Sequence, residues 1–194
     1  MTATSASSTG TAALHPRIQE LIDYIDVHRR ELRDAIASVP EKMREIKPAD
    51  GSWSVAEVLE HVSMLEQQIA ALVTMHVTAA RASGVGPDPD TSSVVASFAN
   101  PGQVVDRGTK IVAPKSVVPT GTVDAQAGTV ALEQSRTAMV ASLHNANGVS
   151  LENLVQTHFV LGPRNLYHWI VATALHDSRH AAQIRELGKS LVAS

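Results

Sequence analysis

The sequence predicts an all-α fold, an antiparallel four-helix bundle with a long crossover between the second and third helices. Three observations lead there. Four segments repeat apolar residues at three- and four-residue steps, the period of an amphipathic helix. No region is convincingly rich in strand-forming residues. One connecting stretch, 84–121, is dense in Pro, Gly, Ser and Asp, has no helical period, and is far longer than an ordinary turn.

The bulk numbers narrow the function. At 194 residues, 44% hydrophobic and 18% charged with a net charge of -3, the chain can bury a core without staples and has no basic excess to hold a polyanion. Two Trp, two Tyr and two Phe are too few for a base-stacking platform, so no nucleic-acid partner is expected. The absence of cysteine excludes a disulfide framework, a thiolate metal site and a Cys nucleophile, leaving His, Asp and Glu as metal ligands. The longest apolar candidate, 166–175, falls short of the roughly 18 residues a membrane helix needs. Residues 1–13 lack the charged and apolar regions of a secretory leader and read as a disordered tail. A single domain over 14–194, cytoplasmic and not membrane-bound, is the expectation.

Pro16 suits the first turn of a helix, and Ile18, Leu21, Ile22, Ile25, Leu32, Ile36 and Val39 carry its stripe to about Pro40. A connector with an Asp50-Gly51 turn follows. Ser54 and Glu57 then have capping-box spacing, so the second helix starts there, with Val58, His61, Val62, Leu65, Ile69, Leu72 and Val73 or Met75 on its apolar face. A third helix is expected from about Val123 to Asn145, its apolar set being Val130, Leu132, Met139, Val140 and Leu143. A short helical piece is expected at Leu151 to Val155, a break at Gly162-Pro163, and a last helix from about Asn165 to Lys189. The β-branched residues between Val104 and Val118 leave room for a short strand.

His176 and His180 are four apart on the last helix, so both imidazoles leave one face and can meet a single ion. His61, set in the apolar stripe of the second helix, is the best third ligand. Three neutral His would leave a coordination position for water or substrate, as catalytic sites do. The spacing alone does not decide the matter, because i,i+4 His pairs arise by chance in a chain with nine His and are often solvated or hydrogen-bonded core residues.

The flanking residues add a resemblance. The run Trp53-Ser54-Val55-Ala56-Glu57-Val58-Leu59-Glu60-His61-Val62 resembles the second-helix signature of the DinB/YfiT-like superfamily. In that signature a Trp-Ser turn leads into the helix carrying the first metal histidine. His176-Asp177-Ser178-Arg179-His180-Ala181-Ala182-Gln183-Ile184 is similar to the family's last helix, and Pro114-Lys115 with Pro119-Thr120-Gly121 to its proline-rich loop, although Lys115 stands where an acidic residue is commoner. The resemblance implies a four-helix bundle, usually a homodimer, with His61, His176 and His180 holding a divalent ion such as zinc or nickel. It also implies membership of a group that includes transferases of low-molecular-weight thiols, a thiol-dependent isomerase and proteins described only as metal-dependent hydrolases.

Two neighbours are candidates to support the ligands. Glu57, one turn before His61, could accept a proton near the ion, but its capping role already accounts for it. Gln183, three residues after His180, stands between an orienting role and plain helix packing. Asp177 and Arg179 point away from the ligands on an ideal helix and are expected at the surface or in a dimer contact. His158 is expected to cap a loop or face solvent, near the pocket mouth at most. No Gly-x-Ser-x-Gly elbow surrounds Ser54 or Ser178, and no phosphate-binding glycine motif occurs. Two readings follow: a metal-dependent enzyme, thiol transferase or hydrolase, acting on a small molecule through a metal-activated thiolate or water; or a non-catalytic, metal-stabilised binding or stress-response module.

Overall fold

The computed structural model describes residues 13–192. The expected tail therefore lies outside the described residues, except for Ala13. The chain is mostly helical, with a small two-stranded sheet.

Helix α1, Pro16–Ala37, begins where Pro16 fixes the first turn and His15 caps it, Nδ1 accepting from the Arg17 amide at 3.2 Å. Helix α2, Val55–Ala82, starts on a complete capping box: Ser54 Oγ accepts from the Glu57 amide at 3.2 Å, and Glu57 Oε2 accepts from the Ser54 amide at 2.8 Å. The crossover contains a single helical turn, α3 (Gly102–Val105), and a 3₁₀ turn, Lys115–Val117. Helix α4, Ala125–Ala146, is capped by Asp124, whose Oδ1 accepts from the Ala127 amide at 2.7 Å. Strands β1 (Val155–His158) and β2 (Gly162–Asn165) then pair antiparallel, Val155 opposite Asn165 and His158 opposite Gly162. Helix α5, Leu166–Val192, follows at once, with Asn165 Oδ1 accepting from the His168 amide at 2.9 Å.

Several expectations are corrected. The helical piece at Leu151 to Val155 is absent; Val155 opens a strand instead. Gly162 takes a left-handed φ of 71°, and His158 Nδ1 accepts from the Val160 and Leu161 amides at 3.1 and 3.2 Å, so Gly162-Pro163 is the return of a hairpin rather than a break. No strand forms between Val104 and Val118. The carbonyls of Val104, Asp106 and Thr109 are taken by the Arg179 guanidinium, so a side chain rather than a β-ladder organises this backbone. Val73, not Met75, is the buried residue near the end of the α2 stripe, and Val130 faces outward from α4.

Helix α1 packs chiefly on α5, and α2 chiefly on α4, with α2 also touching α5. The apolar core is divided in two. One cluster gathers Ile18, Leu21 and Ile25 with Val73, Met139 and Ile170; the other gathers Leu32, Val58, Leu59 and Val62 with Leu132 and Ile184. Each fully buried Leu, Ile or Val of these sets is worth about 1.5–3 kcal/mol. Between the two clusters each long helix contributes one buried charge: Arg29 from α1, Glu66 from α2, Arg136 from α4 and Asp177 from α5. Arg29 reaches Glu66 at 2.7 Å and Asp177 at 2.9 Å; Arg136 reaches Glu66 at 2.8 Å and Asp177 at 3.0 Å. The set is electrically neutral, which is what allows four charges to be buried together. Asp177 is thus interior rather than exposed, as the ideal-helix argument had it, because the face opposite the ligands meets other helices instead of water.

Candidate metal centre

His61 lies within α2, and His176 and His180 lie one turn apart on α5. The packing of these helices brings the three rings together: their centroids are 5.1 Å apart for His61 and His176, 4.9 Å for His61 and His180, and 4.3 Å for His176 and His180. His61 Nε2 is 3.2 Å from His176 Nε2, which is 3.0 Å from His180 Nε2. Bonds of about 2.0–2.1 Å at tetrahedral angles would set ligand nitrogens about 3.3 Å apart, so the spacing suits one ion.

The other ring nitrogens say which face carries the lone pairs. His61 Nδ1 is 2.7 Å from the carbonyl of Val117, which can only accept, so this nitrogen holds the proton and Nε2 is bare. His180 Nδ1 is 2.8 Å from Gln183 Oε1 and is directed in the same way. A proton on His176 Nε2 can bridge to one of these neighbours at a time, whereas a cation satisfies all three. His176 Nδ1 is buried with no hydrogen-bond partner among the described residues. Burial first, then the neighbouring imidazoles, holds His176 well below the ordinary imidazole range. Burial and the His61 ring push His180 down to about 3. Burial also lowers His61, against the pull of its bond to Val117. All three are neutral at pH 7, the form that ligates metals.

Above the rings opens a cavity of about 610 Å³ whose walls include Trp53, Leu65, Ile69, Phe159 and Trp169. The Trp53 ring lies 4.8 Å from that of His61. The expectation that His158 stays at a loop is met in part: it caps the hairpin turn, and it also lines the cavity, 4.6 Å from the Trp169 ring.

The two supporting candidates separate. Gln183 touches His180. Glu57 touches no imidazole: its oxygens are engaged by the Ser54 amide and by Lys47 Nζ at 2.8 Å, because a carboxylate in the first helical turn reaches back over the helix start. Residues not singled out from the sequence complete the frame. The buried Glu60 carboxylate accepts from the Thr120 amide at 3.0 Å, the Thr120 hydroxyl at 2.7 Å and the Gly121 amide at 3.3 Å, pinning the end of the crossover beside His61. Glu60 falls on the side of α2 away from the apolar stripe, so the helical pattern carried no signal for its burial beneath the crossover. Arg179, expected outside, is buried and holds the crossover through backbone carbonyls.

A mostly helical fold with three neutral histidines converging beneath an open cavity defines a class: helical proteins with a three-histidine site able to hold a divalent ion. Residues 24–184 match the DinB superfamily, and the chain belongs to it. No curated protein and no solved structure matches the chain.

Proposed function

We propose that this protein is a metal-dependent enzyme in which His61, His176 and His180 hold a zinc or nickel ion, and that it acts on a small molecule as a thiol transferase or hydrolase. The observation that carries the reading is the convergence of three Nε2 atoms at the floor of a cavity, rather than inside a closed core. With it we propose a four-helix bundle formed by α1, α2, α4 and α5, one domain over 14–194, and assembly as a homodimer.

The bound ion would supply an acidified thiol or water in its open position. The chain's own residues do the rest. Val117 O and Gln183 Oε1 hold the His61 and His180 rings with Nε2 toward the centre. Trp53, set against His61, keeps water off that ring, and the apolar walls receive an electrophile while excluding bulk solvent. Glu60 fixes the loop that carries Val117 close to its histidine.

The test joins elemental analysis to turnover. Protein grown with supplemented zinc or nickel is expected to contain near-stoichiometric ion, and to conjugate a chromogenic electrophile to a low-molecular-weight thiol, or hydrolyse an activated ester, in a way that EDTA abolishes. Absence of bound ion sinks the reading. Bound ion without metal-dependent turnover favours the non-catalytic, metal-stabilised module.

A further inference from the structure

We infer that the cavity selects an amphipathic organic anion: a molecule with an apolar body several carbons long and one negatively charged end directed toward the histidines. This deepens the proposed function and rests on it for the ion's contribution to the charge.

The charge of the site is lopsided. Its three candidate ligands are imidazoles, which bring no negative charge of their own, so a bound dication would keep its full charge. The ionisable wall residues other than histidine are Arg107, Lys110 and Arg179, and no Asp or Glu is among the described lining residues. The three cations differ in availability. Arg107 is paired with Glu186 at 2.7 Å, and Arg179 spends its Nη atoms on loop carbonyls without losing its charge. Lys110 is exposed, has no ion pair within 4.0 Å among the described residues, and acts on the Asp50 carboxylate only at longer range. A dication and a largely apolar wall that holds cations but no carboxylate favour an anion and penalise a cation or a neutral polar end.

The rim supplies the second half of the inference. Val112, Val118, Phe159 and Val160 are large apolar residues that remain exposed, and all four line this cavity. They come from two separate elements, the crossover and the β1–β2 hairpin tip, which both contribute to the wall of the cavity. Exposed apolar residues gathered at one mouth mark a surface that binds something apolar. The histidines and the buried Arg179 at depth, with apolar residues at the rim beside the exposed Lys110, match a ligand of the same polarity pattern.

The chain's two tryptophans, Trp53 and Trp169, both line the cavity, so intrinsic fluorescence reports its occupancy. Zinc-supplemented protein would be titrated with octanoate, octanamide and acetate, with metal content measured on the same samples. Octanoate is expected to bind at least about tenfold more tightly than either octanamide or acetate. K110Q should weaken octanoate several-fold and leave octanamide and metal content unchanged, and Phe159→Ser should weaken octanoate and octanamide alike. Octanamide binding as tightly as octanoate overturns the charge selection, and acetate binding as tightly overturns the apolar body. If the protein carries no metal, the proposed function fails by itself. The preference for octanoate and its loss in K110Q then still decide this inference, because Lys110 does not depend on the ion.

Discussion

Arg29 Nε donates to Asp177 Oδ2 at 2.9 Å, and both side chains are essentially inaccessible to water. Asp177 also receives Arg136 at 3.0 Å and follows His176 in sequence, so the layer that ties four helices together adjoins the proposed metal site. Removing one partner leaves a buried charge uncompensated, which costs about 3–5 kcal/mol. Asp177→Ala is therefore expected to lower the unfolding free energy by about that amount, read from urea denaturation. A loss below about 1 kcal/mol, the scale of exposed pairs, would show the network to be solvated.

Gln183 should act through His180 alone. Q183L keeps the bulk of the side chain but withdraws the oxygen that holds Nδ1. Loss of such an outer partner typically weakens metal binding about 10–100-fold. Competition with a chromophoric chelator would measure this, with circular dichroism checking that the fold is kept; unchanged affinity would return Gln183 to plain packing.

The histidines set a pH dependence whose sign follows from their direction. Burial, with the Arg164 charge adding to it, pushes His158 down to about 4. His180 lies at about 3, and His61 and His176 are lowered too. An unfolded histidine titrates near about 6.5, so below that pH the unfolded chain binds more protons than the folded one. Stability is thus full above about pH 6.5 and is lost as pH falls toward the folded values. Urea midpoints in EDTA should hold from about pH 7.5 down to about 6.5 and then drop toward about pH 5, less steeply in His158→Gln. A flat profile would contradict the burial of these rings.

Gly128 marks a close approach of α4 to α2. A Cβ placed there would meet Leu59 Cβ at 3.0 Å. Gly128→Ala recovers about 1 kcal/mol of helix propensity against that crowding. Gly128→Val adds two further carbons where Leu59 is fully buried, and is expected to cost about 1–3 kcal/mol. A valine variant as stable as the parent, by denaturant titration, would show that the helices can part there.

The long helices and the histidines were legible in the chain because their signals are local. Capping at Ser54 and Glu57, the period of apolar residues, and a four-residue His spacing each depend only on near neighbours along one helix. The hairpin at Val155–Asn165 escaped because a four-residue strand is defined by its partner, and because Gly162-Pro163 signals a turn without saying what the turn joins. Tertiary structure alone decided where Asp177 and Arg179 went. An ideal helix has an outside, but whether that outside meets water or three other charged side chains is settled only when Arg29, Glu66 and Arg136 arrive from elsewhere in the chain. The same holds for the cavity. The sequence determined which residue types were available as ligands, while the crossover, pinned by Glu60 and Arg179 through backbone groups that no side-chain pattern records, determined what stands above them.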